Sequence, residues 1–281
     1  MFTTSMFESI KEALANSEKS SGGNGLYREI LKFKAGNTYV LRLLPNINSL
    51  KDSFYHYYVH GWNSFSTGEF VSAISRQTIG ESDPIAVERF RIKKNGSEEE
   101  KSKAEQVKWQ EQWFVNVYVV DDPVTPENNG TVKVMRFGKK LNKLVMAAIS
   151  GDDADEFGPR VFDLSANGCN LKLKAEKQGE YVSYDSSRFT SPTDLSLSEE
   201  RQKEIYNSIH ELAAINPIKT EDEIIQIWSK HFVCEPLPVV GSRSAVVAET
   251  SSSSSSTSEE TSEAKIDDAM VAELLKSFDS N

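Results

Sequence analysis

The sequence predicts a mainly β protein with an α-helical flank (α+β), whose core is a small β-barrel or a strongly curved sheet. From Leu26 to about Phe189, short segments rich in β-branched and aromatic residues alternate with turn residues, as is typical of strands. From 194 to 235 the apolar residues recur at helical spacing instead. Several short strands with one or two helices between them are the usual content of small barrels.

The first predicted strands lie at 39–44, 54–59 and 69–74, and the first of them stops at Pro45. The segment 54–59 alternates two aromatic sets across its faces. At most one set is free of the core: Tyr55 and Tyr57, or Phe54, His56 and Tyr58. The highly charged segment 98–112 predicts a helix or an ordered loop.

Residues 113–143 are the most informative stretch of the chain. A strand from Trp113 to Val120 runs into a polar turn, and a second strand, 131–137, ends in a basic cluster. That cluster contains Arg136, Lys139, Lys140 and Lys143. Stacking rings beside phosphate-pairing cations are what a sequence-tolerant groove for single-stranded nucleic acid needs.

Two further patterns complete the core and its flank. Residues 141–149 predict a short helix, and 170–177 with 181–184 predict a hairpin around Gly179. In the flank, one predicted helix ends at Pro217. The residues that share its apolar face are Ile205, Ile209, Leu212 and Ala213. Thr220 and Glu223 have the spacing of a capping box ahead of a second apolar helix.

The chain divides into three parts. Residues 1–20 predict an N-terminal arm, in which Phe7, Ile10 and Leu14 form an apolar stripe ahead of a Ser/Gly-rich joint; a frayed terminus is the alternative. Residues 21–240 form the core with its helical flank at 194–235. Residues 241–281 predict a disordered, acidic, Ser-rich tail that docks on partners. Its expected contact residues are Asp267, Asp268, Leu274, Leu275 and Phe278.

The net charge of −10 is unevenly distributed along the chain. Residues 21–193 carry about +1, whereas 194–240 and 241–281 carry −5 each. A nearly neutral body can still attract polyanions if its cations gather on one face, because the local field governs association. No apolar run reaches the roughly 18–20 residues that cross a bilayer, and the N-terminus has no secretory pattern.

The sequence offers no support for catalysis. No serine lies in a nucleophile elbow, and Gly138-Lys139 lacks the other residues of a phosphate loop. The segment 153–164 resembles a calcium loop, but Phe157 and Leu164 stand where ligands belong. Two distant cysteines, Cys169 and Cys234, cannot make a zinc site of the usual kind. They also form no disulfide framework, which favours a reducing cytoplasm.

Several segments together resemble a known family, the single-stranded DNA-binding proteins of T-even-like phages, which are helix-destabilising proteins of phage replication. The segments are GNTYVLRLLPN at 36–46, HGW at 60–62, VNVYVVDDPVTPENNGTVKVMRFGKK at 115–140 and YVSYDSSRF at 181–189. The resemblance covers most of residues 1–235. It implies an OB-fold core, an arm for head-to-tail cooperativity and a tail that recruits replication proteins such as the polymerase, the helicase loader and the primase.

The resemblance also implies a DNA-binding set. Trp113 and Phe114 match the family's ring pair at the start of the central strand, and Met135 stands where the family has tyrosine. The whole expected set is Arg42, Lys108, Trp109, Trp113, Phe114, Arg136, Lys139, Lys140, Tyr181 and Tyr184. The alternative for each single ring is a place in the core.

The chain departs from the family at two places. The family holds zinc through one histidine and three cysteines, whereas here His60 is accompanied by Ser75, Asp83 and Val87. We therefore expect no zinc, and a subdomain packed by apolar residues, namely Phe70, Ile74, Ile79, Ile85 and Phe90. The arm also lacks the family's basic motif, since it begins Met1-Phe2-Thr3-Thr4-Ser5.

The function expected from the sequence is coating of single-stranded DNA, with little sequence preference and with cooperativity, in phage DNA replication, recombination and repair. The expected location is the cytoplasm of the infected bacterial host. The alternative is a protein–protein adaptor that works through its acidic helices and tail. No enzymatic activity and no cofactor are expected.

Overall fold

The structure is a computed structural model and describes residues 25–179 and 181–233. The predicted arm and the predicted tail, with all their expected contact residues, lie outside the described residues. The chain divides into two compact units. Of the described residues, the first comprises 25–61, 72–79, 108–179 and 181–219, and the second comprises 62–71, 80–107 and 220–233.

Eight strands of the described chain form one sheet in the order β3-β2-β4-β1-β6-β7, with β5 paired to β4 and β8 paired to β6. They are β1 Asn37–Leu44, β2 Phe54–Asn63, β3 Phe70–Ile74, β4 Gln110–Asp121, β5 Val132–Gly138, β6 Cys169–Gln178, β7 Tyr181–Ser183 and β8 Arg188–Pro192. The described α-helices are α1 Pro84–Asn95, α2 Glu98–Gln106, α3 Lys139–Ser150, α4 Glu199–Asn207, α5 Leu212–Ile215 and α6 Glu221–Trp228.

The long strand β4 organises the sheet of the first unit. Antiparallel β2 pairs with the first half of β4, up to Val115, and antiparallel β1 pairs with its second half, from Asn116. Strand β5 pairs along the opposite edge. Register shifts in the β1–β4 and β6–β8 pairs bend the ladder further. The fold is therefore a curled antiparallel sheet with flanking helices and an OB-like core, which confirms the predicted fold class.

Both faces of β4 are buried. Odd-numbered Val115, Val117 and Val119 join the main core with β1, β6 and α3. On the even-numbered face, Phe114 packs with residues of β5 and α5, and Tyr118 packs with Ile205 of α4. A strand buried on both faces has no polar alternation, which explains the continuous apolar run of 117–120.

The helical flank differs from the prediction in one respect. The helix expected through residues 205–213 is broken, since α4 ends at Asn207 and α5 begins at Leu212. The buried side chain of Asn116 explains the break, because its amide donates to the His210 carbonyl at 2.9 Å and its oxygen accepts from the His210 N–H at 3.0 Å. The predicted capping box of Thr220 and Glu223 is present at the start of α6.

The second unit contains α1, α2 and α6. Helix α1 was not expected from the sequence; Pro84 opens it and the Asp83 carboxylate caps it by accepting from the Ala86 N–H at 3.0 Å. The charged segment 98–112 is a helix only to Gln106. Of the apolar residues expected to pack this region, Ile74 and Ile85 are buried, but Phe70 and Ile79 are exposed and that part of the expectation was wrong. No helix of the described residues is long and apolar enough to span a membrane.

Candidate nucleic-acid interface

Five rings form a continuous row in the first unit, which we call the ring ladder: Trp109, Tyr58, His56, Trp113 and Phe137. Cross-strand register sets His56, Trp113 and Phe137 side by side on β2, β4 and β5. The Trp113 ring stacks on His56 with centroids 4.7 Å apart and on Phe137 at 6.1 Å. Tyr58 meets His56 at 4.9 Å and Trp109 at 4.8 Å, both edge to face.

Exposure changes along the ring ladder. Phe137 is buried in the main core, and Trp113 is half-buried against the same core. His56 is exposed, and Tyr58 and Trp109 are half-buried. The ladder is therefore fixed at one end by packing and offers ring surface to solvent toward the other. Of the two alternating aromatic sets on β2, the one with His56 and Tyr58 is the more accessible, since Tyr57 is buried.

A carboxylate links the ring ladder to a lysine. The Glu111 carboxylate contacts both neighbours. Its Oε1 lies 2.8 Å from His56 Nε2, and its Oε2 pairs with Lys139 Nζ at 2.9 Å. Lys139 and Lys140 open α3, where the helix dipole disfavours cations. Helix stability therefore does not account for these two lysines. Lys108 is exposed directly before Trp109.

The last hairpin contributes a second group. Lys140 Nζ pairs with Asp185 at 3.0 Å, and this hydrogen bond, followed by that of Ser183, lowers the pKa of the Asp185 carboxyl. Tyr184 is half-buried and meets Phe33 edge to face at 6.0 Å, and burial raises the pKa of its hydroxyl. Tyr181 is 79% exposed on β7. A ring this exposed is available to a ligand.

Arg136 lies on the other face of the sheet from the ring ladder. It is the register partner of Phe114 on β5, whereas Trp113 pairs with Phe137. Its guanidinium is exposed and donates to the Tyr27 hydroxyl at 3.4 Å. Strand alternation therefore separates Arg136 from Trp113, so these two residues do not line one surface of the sheet.

Two residues of the expected DNA-binding set are buried. Phe114 is 1% exposed and packs with Tyr57 at 4.7 Å on the even-numbered face of β4. Arg42 is 0% exposed, and burial lowers its pKa. Its guanidinium donates to the Asn170 side chain at 2.8 Å and to the carbonyls of Asp163 and Thr193 at 2.6 and 2.8 Å. Burial argues against a direct contact of either side chain with DNA, and we omit both from the proposed interface.

The residues at the family's zinc positions do not fit zinc. Ser75 and His60 are buried in the first unit, and serine and Val87 supply no thiolate. The Asp83 carboxylate in the second unit already caps α1. Within residues 25–179 and 181–233, no group of three or more His, Cys, Asp or Glu side chains could hold a metal ion. The absence of zinc stays a prediction.

Sequence reasoning missed three members of this site. His56 and Tyr58 were recognised only as one of two alternating sets, and Glu111 was not singled out at all. The aromatic content of 54–58 was a usable signal, but no sequence pattern indicated the register that brings His56 against Trp113. Glu111 was detectable only as an acid two residues before that tryptophan.

Rings and lysines together on a curled antiparallel sheet with an OB-like core define a class of proteins that bind single-stranded nucleic acid. Comparison with known proteins agrees. The model of the family described as gp32 DNA binding protein like matches residues 34–230. The chain therefore belongs to this family.

Two relatives are named single-stranded DNA-binding protein. The one from Enterobacteria phage T4 is 29% identical over 217 residues, which cover 73% of this chain and 71% of the relative. The one from Enterobacteria phage T2 is 27% identical over 198 residues, covering 69% of this chain and 64% of the relative.

Proposed function

We propose that this protein binds single-stranded DNA with little sequence preference and coats it during phage DNA replication. Roles in recombination and repair belong to the same proposal. The observation that carries it is the ring ladder with Lys139 at its side, on the sheet of a chain that belongs to a DNA-binding family. The family and both relatives are named for binding, and we infer no catalytic activity.

The rings account for the lack of sequence preference. A base stacked on an aromatic side chain contributes roughly 1–3 kcal/mol, and every base has a π-face. Trp109 and Tyr58, at the accessible part of the ring ladder, and the exposed Tyr181 are the proposed stacking residues, and the half-buried Trp113 and Tyr184 are proposed to support them.

The cations account for affinity. Lys108, Lys139 and Lys140 are the proposed phosphate contacts near the rings, and Arg136 is a proposed contact on the other face of the sheet. Lys139 and Lys140 are paired with Glu111 and Asp185, but ion pairs of exposed lysines contribute only about 0–1 kcal/mol. Breaking these ion pairs so that the lysines can bind DNA phosphates therefore costs little free energy. The binding also releases counterions from the DNA.

The termini complete the proposal, although they lie outside the described residues. The arm, with Phe7, Ile10 and Leu14, would contact the next copy along the strand. The tail would compete with DNA for the cations and recruit the polymerase, the helicase loader and the primase. The proposed location is the cytoplasm of the infected host. Removal of residues 250–281 should raise affinity for DNA at low salt, and equal affinity with and without them would refute the competition.

A titration that follows tryptophan fluorescence tests the proposal. We expect oligo(dT) and a mixed-sequence oligonucleotide of equal length to quench the fluorescence and to saturate at several nucleotides per chain. Trp109→Ala should weaken binding by about 5- to 150-fold, the equivalent of one lost stack, whereas Trp109→Phe should retain most affinity. Absence of saturable quenching in the unaltered protein would overturn the proposal and favour a protein–protein adaptor.

A further inference from the structure

A second cluster of cations lies in the first unit, on the face of β6 that points away from the main core. Leu171, Leu173 and Ala175 of β6 face that core. Strand alternation therefore turns Lys172 and Lys174 to the opposite face. There they border a pocket of about 210 Å³, whose lining residues are Thr38, Lys172, Lys174, Ser186 and Arg188. We call it the β6 pocket.

The strand register brings like charges together in the β6 pocket. Lys172 on β6 is the direct partner of Arg188 on β8, and Lys174 is the direct partner of Thr38 on β1. Like charges directly opposite each other in an antiparallel pair are destabilising. Among the described residues neither Lys172 nor Arg188 has an ion pair, and Lys174 has one exposed pair, with Glu176 at 2.6 Å. The pocket therefore has more positive charge than its own carboxylate neutralises.

The donors of the β6 pocket match a phosphate group. An arginine provides a planar fork of N–H donors that suits phosphate oxygens, and lysine provides a compact positive charge. The hydroxyls of Thr38 and Ser186 line the same pocket, and Ser186 already donates to Glu176. Three cations around two hydroxyls offer more donors than one carboxylate can accept from.

We propose that the β6 pocket binds a backbone phosphate of single-stranded DNA, as a contact separate from the ring ladder. Trp113 lies on the core-facing side of the sheet, whereas Lys172 lies on the other side, so one strand reaches both only by passing around the sheet. The proposal rests on the proposed function for the identity of the polymer. It adds a phosphate contact whose lining residues include no ring.

The decisive experiment measures the salt dependence of oligo(dT) binding by the full chain and by Lys172→Ala/Arg188→Ala. Loss of one phosphate contact should reduce the slope of log K against log salt by about 0.7 and weaken binding about three- to fivefold near 0.1 M salt. The quenching amplitude at saturation should stay unchanged, because the ring ladder is intact. Lys32→Ala/Lys51→Ala removes two exposed cations elsewhere in the first unit and is the matched control.

A second measurement tests phosphate binding by the β6 pocket in the absence of DNA. Inorganic phosphate, compared with chloride at equal ionic strength, should raise the Tm of the unaltered protein more than that of the pocket variant. The variant itself should be no less stable, because it loses a like-charge pair. If the salt slopes of oligo(dT) binding and the rise in Tm with phosphate are equal in both proteins, the β6 pocket does not bind phosphate, and the proposed function still stands. Failure of the unaltered protein to bind oligo(dT) would instead sink the proposed function.

A synthetic peptide of residues 257–281 tests the other possible occupant, the carboxylates of the acidic tail. If the peptide binds the unaltered protein and not the pocket variant, while the DNA salt slopes agree, the pocket belongs to the tail and the phosphate proposal is wrong. If the peptide binds both proteins equally and the slopes differ, the proposal stands.

Discussion

Glu111 shows at the residue scale how a binding surface can carry its own competitor. Its carboxylate contacts both His56 and Lys139, within reach of the rings proposed to stack bases. A phosphate that approaches Lys139 must displace this carboxylate or share the lysine with it. We therefore expect the negative charge of Glu111 to weaken DNA binding while its carboxylate holds the His56 ring.

We expect Glu111→Gln to raise affinity for oligo(dT) about two- to fivefold at 0.1 M salt and to steepen the salt slope by about 0.7, because Lys139 becomes free for one phosphate. Titrations at several salt concentrations measure both quantities. Lys139→Ala in the Glu111→Gln background is the control and should remove the gain. An affinity that does not change would show that the carboxylate does not compete.

Arg42 is a buried arginine whose guanidinium is hydrogen-bonded within the protein. Its guanidinium joins Asn170 to the carbonyls of Asp163 and Thr193, and Gly168 makes room for it, since a Cβ there would lie 2.1 Å from Arg42 Nη1. These partners lie more than 120 residues further along the chain. Sequence pattern therefore identified the cation but could not indicate that its donors were already occupied.

We expect Arg42→Met to lower the free energy of unfolding by about 3–5 kcal/mol, because it leaves the buried Asn170 side chain and the partly buried carbonyls of Asp163 and Thr193 without their donor. Urea denaturation monitored by circular dichroism measures the loss. Arg136→Met, at an exposed arginine, is the matched control and should change stability by less than about 0.5 kcal/mol. Similar stabilities of the two variants would contradict the structural role of Arg42.

At the scale of elements, local pattern predicted most strands and some helices. β1, β2, β4 and β5 lie close to their predicted positions, because β-branched and aromatic residues mark them clearly. Two elements were not predicted: α1, whose mixed polar sequence has little helical periodicity, and the short β8. The break between α4 and α5 arises from tertiary structure, since Asn116 of β4 binds the backbone of His210.

Asn116→Ala therefore tests whether the sheet sets the path of the flank. We expect a loss of about 2–3 kcal/mol in the free energy of unfolding, because two partly buried backbone groups of His210 lose their partners. Hydrogen exchange at the His210 amide should accelerate more than exchange in α3, which serves as the internal control. Unchanged protection at that amide would show that Asn116 does not hold the chain there.

At the scale of the whole molecule, charge is partitioned rather than balanced. Residues 21–193 carry about +1, and the acid lies C-terminal to them. The OB-like core can therefore bind a polyanion in an acidic chain, since its lysines act through local fields. Composition alone would have excluded nucleic acid. The positions of the cations, which the fold determines, favour nucleic-acid binding instead.

The residues at the positions where the resemblance implies zinc ligands are the last feature that concerns the whole chain. Ser75 and Asp83 are buried where the resemblance implies cysteines, and the Asp83 carboxylate is committed to the N-terminus of α1. A structural zinc contributes folding free energy outright, and we expect caps and apolar packing, such as that of the buried Ile74 and Ile85, to supply this free energy in its place.

We expect elemental analysis of purified protein to find far less than one zinc per chain, and a strong chelator to leave the Tm and oligo(dT) affinity unchanged. Asp83→Ala should lower the free energy of unfolding by about 1–2 kcal/mol through the lost helix cap. Asp83→Ser, which can still cap α1, should recover most of that loss. One tightly bound zinc per chain, or a Tm that falls with chelator, would show that other residues hold the metal.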